Sequence, residues 1–227
     1  MSAVVQLHDC GLMHYQDALA MQTEYFQQMV NNKLNAISNE NNMHLIVCEH
    51  YPVITLGKSG KQENLLLQKE LLQQKGIEFF ETNRGGDITF HGPEQIVIYP
   101  ILDLDFFIAD VKQYMRNLEE VVIQTLQAYH ITGERLEKET GVWVKKNHAY
   151  NKICAFGVKM SRWITMHGLA LNVNTNLDYF NYIVPCGIAD KGVTSMQKEL
   201  HQTIEKDKVK QLLINNFEKI FNCKIQC

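Results

Sequence analysis

The sequence predicts an α+β fold rather than a strict alternation of strands and crossover helices. Predicted strands cluster over residues 44–99 and 141–173, and predicted helices lie between the clusters and at both ends of the chain. The chain has 227 residues, of which 45% are hydrophobic and 21% are charged, so it can bury a substantial core without disulfides or metals. We expect a single domain that spans residues 1–227.

Helices are predicted where apolar residues recur at every third or fourth position. Residues 12–36 form the first helix, which has a polar face rich in Gln and Asn. Residues 64–75 form a short helix, residues 110–129 show the clearest helical periodicity, and residues 205–221 close the chain.

Strands are predicted from short apolar or alternating runs that Gly and Pro interrupt. In the first half of the chain these are residues 44–49, 53–56, 77–82, 88–90 and 96–99, the last of which is expected to stop at Pro100. The second half adds residues 141–144, 153–158 and 169–173.

Bulk properties exclude several classes of protein. The net charge of -3 argues against a nucleic-acid-binding surface as the main function. No apolar run approaches the ~20 residues of a membrane span, and the first residues lack the pattern of a secretory signal. The six cysteines are irregularly spaced and the histidines form no HExxH motif. We therefore expect reduced thiols, a cytoplasmic location and no metal site.

Cys186 is the candidate nucleophile. It stands between Pro185, which fixes the backbone before it, and Gly187, which frees the backbone after it. A thiol on such a turn is accessible to a substrate. Cys48 and Cys154 lie inside apolar strands and are expected to be core residues.

Lys152 is the candidate partner of Cys186. A neighbouring ammonium stabilises a thiolate, and a lysine that gives up its proton serves as a general acid or base. His91 is a competing partner for the thiol, and His167 is a further candidate base. All of these residues are far apart in the sequence, so their contact depends on the fold.

Two segments with glycine or small residues are predicted to wall the site. Gly85 and Gly86 precede a strand and allow the backbone to approach a ligand closely. Residues 167–170 leave room for an acyl chain. A reactive cysteine, a lysine and such walls indicate acyl transfer through a thioester. The run at residues 57–60 lacks the spacing of a phosphate-binding loop, so no nucleotide site is predicted.

Together these motifs resemble the octanoyltransferase family, also called lipoyl(octanoyl) transferases. The resemblance extends from about residue 45 to residue 200 and rests on residues 51–57, 84–93 with Gln95, 99–104, 141–143, 152–157, 167–173 and 185–187. Glu94 stands where the family commonly has Gly, which changes the loop next to His91.

The resemblance implies both a fold and a reaction. The fold is a mixed central β-sheet flanked by helices, like the catalytic domain of biotin and lipoate protein ligases. The reaction transfers an octanoyl (or lipoyl) group from acyl carrier protein to a lysine of a lipoyl domain, either in a 2-oxoacid dehydrogenase or in the glycine-cleavage H protein. The implied enzyme is a monomeric acyltransferase of protein lipoylation that needs no cofactor and binds neither nucleic acid nor membrane.

The resemblance also implies roles for individual residues. Cys186 is the acyl-thioester nucleophile, and Lys152 lowers the pKa of its thiol. The implied substrate-binding residues are Arg84, Gly85, Gly86, Asp87, Ile88, Thr89, Phe90, His91, Ala155, Phe156, Gly157, Gly168, Leu169 and Ala170.

Three other functions remain open at the level of sequence. An ATP-dependent lipoate or biotin protein ligase would share the fold but would need an adenylate site and no nucleophilic cysteine. An acyl relay between lipoyl domains would differ only in its donor. A carrier-protein-binding module would bind the donor without forming a covalent acyl-enzyme.

Overall fold

The computed structural model describes residues 3–137, 139–147, 149–184 and 191–226. Within them the chain forms a large mixed sheet, a smaller sheet and five α-helices. Cys186 belongs to the segment 185–190, which lies outside the described residues.

The strands belong to two sheets. In chain order they are β1 (Ala3–Met13), β2 (Met43–His50), β3 (Val53–Leu56), β4 (Glu78–Glu81), β5 (Ile88–His91), β6 (Gln95–Ile101), β7 (Val142–Lys146), β8 (Ala149–Ser161), β9 (Ile164–Asn172), β10 (Gly192–Val193) and β11 (Cys223–Gln226). Among the described residues, the large sheet has the order β10-β8-β9-β6-β2-β1-β11, with β7 also paired to β8, and the small sheet has the order β4-β3-β5. β1 runs parallel to β2 and β11, whereas β9 pairs antiparallel to both β6 and β8.

The helices are α1 (Tyr15–Leu34), α2 (Lys69–Gln74), α3 (Val111–Gln127), α4 (Met196–Leu200) and α5 (Lys206–Phe221). α1 connects the parallel strands β1 and β2 and packs on β9, β2 and β6. The side chain of Asp110 caps α3 by accepting a hydrogen bond from the backbone N–H of Gln113 at 3.0 Å.

The main core surrounds the large sheet. Residues 43–48 of β2 are all buried, and successive side chains of a strand point to opposite faces, so both faces of the sheet are covered. Tyr25 of α1 stacks on His44 of β2 with ring centroids 3.8 Å apart. The small sheet has its own apolar cluster, which includes Ile54, Ile88 and Phe90. The α+β class and the mixed central sheet are therefore confirmed.

Most of the predicted elements are recovered, but β10 and α4 were not predicted, and the structure differs at several other places. The short helix expected over residues 64–75 is shorter, since α2 covers only Lys69–Gln74 and a 3₁₀ turn covers Gln62–Asn64. Residues 12 and 13 belong to β1 rather than to the first helix. β1 and β11 were not predicted; they pair in parallel with each other, with Ala3 opposite Cys223. Parallel pairing between the two ends of a chain leaves no local sequence signal.

The expected stop at Pro100 is wrong, because β6 continues through Pro100 to Ile101. The paired part of β6 and β9 ends before Pro100, so its missing N–H breaks no hydrogen bond between these strands. Its ring instead packs against the backbone of Gly168, where an added Cβ would lie 2.7 Å from the Pro100 Cδ. The hydroxyl of Thr165 donates to the Pro100 carbonyl at 2.8 Å.

A side chain at residue 168 is expected to destabilise this junction. In Gly168→Ala the new methyl group would overlap the carbonyl oxygen of Ile98 and the ring of Pro100, neither of which can move freely. We expect the free energy of unfolding to fall by about 2 kcal/mol, as for an overpacked core site, when measured by urea denaturation. Gly133→Ala is the control, since its methyl group would approach side-chain carbons, of Val142 at 2.9 Å and of Leu126 at 3.0 Å, rather than the backbone, and it should cost less stability. Equal stabilities of the two variants would contradict this account.

Candidate active site

A cavity of about 360 Å³ is lined by both sheets and by the first residue of α1. The large sheet contributes residues of β6, β7, β8, β9 and β10, and the small sheet contributes β5 with the loop that precedes it. The cavity is therefore the place where the two sheets meet.

Small residues form the floor of the cavity. Ala155 of β8 lies opposite Ala170 of β9, and Gly157 lies opposite Gly168. All four line the cavity, and residues directly opposite each other in a sheet share one face. Since none of these side chains is larger than a methyl group, the floor is a smooth groove along the strands. Its shape suits an unbranched apolar chain.

Arg84 organises the loop before β5. The residue is only 7% exposed. One guanidinium nitrogen, Nη2, donates to the carbonyl of Thr55 at 2.8 Å and to that of Asp87 at 2.7 Å. The other, Nη1, donates to the carbonyl of Gly85 at 3.0 Å. Charge-assisted hydrogen bonds to backbone carbonyls offset the burial of the charge and fix the loop on β3.

The same loop rests directly on β8. The backbone N–H of Gly85 donates to the carbonyl of Val158 at 2.9 Å. A Cβ at Gly157 would lie 2.8 Å from the carbonyl oxygen of Gly85, so this close approach requires glycine. Gly86 has a φ of 84°, a conformation that favours glycine as well. The loop therefore forms a wall across the groove.

His91 belongs to a buried network of hydrogen bonds. Its Nδ1–H donates to Gln95 Oε1 at 2.8 Å, and Gln95 Nε2 donates to Asn172 Oδ1 at 2.8 Å. Asn172 Nδ2 then donates to the carbonyl of Thr194 at 3.0 Å. Burial lowers the pKa of His91 to about 3, so the imidazole is neutral at physiological pH.

His167 is also buried and neutral. Its Nε2–H donates to Asn83 Oδ1 at 3.1 Å, and its backbone N–H donates to Gln22 Oε1 at 3.0 Å. Burial lowers the pKa of His167 to about 3, and the nearby charges of Arg84 and Lys159 act in the same direction. Both imidazoles are therefore poor bases at neutral pH.

Lys152 lines the cavity and lies over the ring of Trp143. Its ammonium is 4.6 Å from the centroid of that ring. The ammonium of Lys191 lies 5.4 Å from the same ring and forms an ion pair with Glu139 at 2.8 Å. Lys191 directly follows the segment that carries Cys186 in the sequence. An indole face attracts cations, so Trp143 holds the Lys152 ammonium at the cavity wall.

The fold brings most of the predicted site residues together. Of those described, all but Gly85 and Phe90 line the cavity. Phe90 is buried in the core of the small sheet. Its ring centroid lies 4.6 Å from that of Tyr179, on which it stacks, and 5.6 Å from that of Phe180, which it meets edge-on. Since Phe180 lines the cavity, Phe90 supports this wall from behind. The predicted nucleophile, Cys186, lies outside the described residues.

Sequence reasoning missed several residues of the cavity wall. They are Tyr15, Ser59, Val97, Glu139, Thr140, Phe180, Lys191, Gly192 and Val193. The motifs of the resemblance did contain Gln95, Tyr99, Trp143 and Asn172, although no role was assigned to any of them. The pairing of Glu139 with Lys191 leaves no sequence signal, since it joins residues 52 positions apart.

Glu94 adopts the conformation that favours glycine, with a φ of 65°. Its side chain offsets this strain, since Glu94 Oε2 accepts from Asn174 at 2.7 Å and Oε1 pairs with Lys206 at 3.1 Å. The Asn174 hydrogen bond and the Lys206 charge lower the pKa of Glu94. The backbone N–H of Glu94 donates to Glu49 Oε2 at 2.6 Å. Glu94 therefore ties the loop after His91 to the end of β2 and the start of α5.

Cys48 and Cys154 are core residues as predicted, with 3% and 0% exposure. Burial raises the pKa of Cys154 well above its ordinary value, so this thiol is not a nucleophile at neutral pH.

Among the described residues, no group of three or more His, Cys, Asp and Glu side chains is placed to hold a metal ion.

Helices that could cross a membrane are absent from the described part of the chain, because none combines sufficient length with sufficient hydropathy.

The model of the family described as "Lipoyl protein ligase A/B catalytic domain" matches residues 14–218. The chain belongs to this family. A protein of Parabacteroides distasonis named octanoyltransferase is 48% identical over 216 residues, which cover 94% of this chain and 97% of that protein. One from Bacteroides fragilis with the same name is 50% identical, over 90% of this chain and 92% of its own length. The resemblance identified from the motifs is thus confirmed.

Solved structures of ligases share the fold. A lipoate-protein ligase A bound with ATP has a TM-score of 0.72 at 15% identity, over 100% of this chain and 88% of that one. A lipoate protein ligase from Thermoplasma acidophilum has a TM-score of 0.71 at 14% identity, over 100% of this chain and 86% of that one. A biotin protein ligase from Aquifex aeolicus has a TM-score of 0.52 at 12% identity, over 98% of this chain and 71% of that one. At such identities the likeness concerns the fold alone.

Because several imidazoles are buried, we expect the protein to be less stable in mild acid than at neutral pH. Burial lowers the pKa of His50 to about 4 and those of His91 and His167 to about 3, whereas an unfolded histidine titrates near 6.5. Below about pH 6.5 the unfolded chain therefore binds protons that the folded chain does not. We expect the free energy of unfolding to fall between pH 7 and pH 5, by up to about 1.4 kcal/mol per pH unit for each histidine.

Urea denaturation at several pH values tests this expectation. His91→Gln should weaken the pH dependence, because it removes one of the titrating groups. His201→Gln is the control, because His201 is exposed and should leave the dependence unchanged. A free energy of unfolding that stays constant from pH 7 to pH 5 would contradict the assignment of neutral buried imidazoles.

Proposed function

We propose that this chain, as one catalytic domain over residues 1–227, is an octanoyltransferase of protein lipoylation. The observation that carries the proposal is the 45–50% identity, over nearly the whole chain, to proteins named octanoyltransferase. The cavity fits this activity, because a groove floored by Ala155, Gly157, Gly168 and Ala170 leads to the amine of Lys152.

The proposed donor is the octanoyl thioester of acyl carrier protein, and the proposed acceptor is a lysine of a lipoyl domain or of the glycine-cleavage H protein. The acceptors include lipoyl domains of 2-oxoacid dehydrogenases. A thioester is already activated for acyl transfer, so the reaction requires no nucleotide. The enzyme acts as a monomer.

The first half-reaction forms an acyl-enzyme. The Cys186 thiolate attacks the thioester carbonyl, a new C–S bond forms, and the bond to the pantetheine sulfur breaks. The departing pantetheine thiolate takes a proton from the Lys152 ammonium, which becomes a neutral amine.

The second half-reaction regenerates the starting state. The neutral amine of the acceptor lysine attacks the acyl-enzyme and forms an amide, while Cys186 leaves as a thiolate. Lys152 accepts the proton that the attacking amine loses. Each proton and each bond is thereby accounted for over one cycle.

The histidines favour Lys152 as the partner of the thiol. Because burial lowers the pKa values of His91 and His167 to about 3, both imidazoles would be neutral at neutral pH. A neutral imidazole, with one ring N–H, is not the cation that stabilises a thiolate. His91 is also committed through Nδ1 to Gln95. The Lys152 ammonium lines the cavity and is held on Trp143.

Intact mass tests the acyl-enzyme. After mixing with octanoyl-acyl carrier protein and no acceptor, the enzyme should gain one octanoyl group, and Cys186→Ala should gain none. Cys10→Ala is the matched control, since Cys10 is a half-buried thiol that does not line the cavity, and it should be acylated normally. Transfer at the full rate by Cys186→Ala would refute the intermediate. ATP-dependent ligation of free octanoate, without an adduct, would instead identify a ligase.

The role of Lys152 is tested by the pH dependence of Cys186 alkylation. The rate at which iodoacetamide alkylates Cys186 is measured by mass spectrometry at several pH values. In Lys152→Ala the ammonium is lost, so the rise of this rate with pH should shift to higher pH. Lys145→Ala is the control, because Lys145 is an exposed residue of the neighbouring strand β7. An unchanged profile in Lys152→Ala would exclude an interaction between the two groups.

A further inference from the structure

The acyl groove has a reactive end and a far end. Lys152 and Trp143 mark the reactive end, where the proposed transfer takes place. At the far end the loop that begins at Arg84 crosses β8, where Gly85 bonds to the carbonyl of Val158. A chain that enters from the reactive end would therefore point its methyl terminus toward this loop.

His167 lies on the neighbouring strand, beside the residue that precedes Arg84. It lies opposite Val158 in the pairing of β8 and β9, six positions along β8 from Lys152. Six residues of a strand span about 20 Å. Lys152 and His167 both line the cavity, so they are separated along the direction of the strands.

The imidazole of His167 is held firmly in this position. The residue has a φ of 60°, which departs from regular strand geometry, and it is only 1% exposed. Its ring donates to Asn83, the residue before Arg84, and its backbone N–H donates to Gln22 of α1. Asn83 thus fixes the orientation of the neutral ring, and Gln22 fixes the backbone that carries it.

We propose that His167 is the residue that limits acyl-chain length, by ending the groove against the methyl terminus of the acyl chain. This inference rests on the proposed function for its substrate class. Ala155 keeps the middle of the groove open, because its side chain on the floor between Lys152 and His167 is only a methyl group. Enlarging residue 155 shortens the groove, and removing the imidazole at residue 167 lengthens it.

Binding of free fatty acids tests the proposal without requiring transfer. The affinities of hexanoate, octanoate, decanoate and dodecanoate are measured by calorimetry for wild type, His167→Ala, His167→Gly and Ala155→Val. The Gly variant suits the positive φ at residue 167, so it guards against misfolding of the Ala variant. The ratio of decanoate to octanoate affinity should rise roughly fifteenfold in the two residue-167 variants, because decanoate has two further methylenes and each one that is buried strengthens binding about fourfold. In Ala155→Val the preference should move to hexanoate.

A second buried histidine provides the control. His44 is 7% exposed and does not line the cavity, so His44→Ala removes a buried imidazole without altering the groove. It should keep the wild-type order of affinities. A purely structural role of His167 would weaken binding of all chain lengths alike, and that result would overturn the proposal. An unchanged length preference in every variant would overturn it as well.

Transfer assays separate this inference from the proposed function. If wild type binds fatty acids with the expected length preference but transfers no octanoyl group from acyl carrier protein, the proposed function fails and the length limit stands. If transfer is efficient and the residue-167 variants keep the wild-type length profile, the length limit fails and the function stands.

Discussion

The burial of the Arg84 guanidinium is the interaction on which the site depends. Its charge is stabilised by backbone carbonyls of Thr55, Gly85 and Asp87, which belong to β3 and to the loop before β5. A guanidinium presents several donors in a fixed plane, so it fixes several carbonyls at once. The loop held in this way docks on β8 through Gly85 and thereby joins the small sheet to the large one. The cavity exists because these two sheets are held together at this line.

Burial also decides which groups near the cavity can carry charge. The imidazoles of His91 and His167 are neutral because the interior disfavours their protonated forms, and their hydrogen bonds to Gln95 and Asn83 fix their orientation. They serve as rigid, uncharged walls. The proton transfers of the proposed reaction are thus left to Lys152, which is held on the ring of an aromatic side chain.

The floor of the groove carries no side chain larger than a methyl group. The glycines of this floor also have a structural effect. A Cβ at Gly157 would strike the loop, and one at Gly168 would strike the ring of Pro100. The same small residues therefore permit the close packing of three backbone segments and leave the space that an acyl chain would fill. A larger side chain at these positions would therefore disturb the packing as well as the proposed acyl site.

The sequence by itself determined the fold class and most helices and strands, because periodicity and turn residues are local properties. The family and the segments that form the cavity followed from the resemblance of several motifs to a known family. Tertiary structure decided the features that join distant residues. The pairing of β1 with β11 and the passage of β6 through Pro100 depend on neighbouring strands. The neutral state of His91 depends on burial, and the ion pair of Glu139 with Lys191 depends on the path of the chain. The burial of a polar side chain and a contact between distant residues are not encoded in a local pattern, so only the folded chain could supply them.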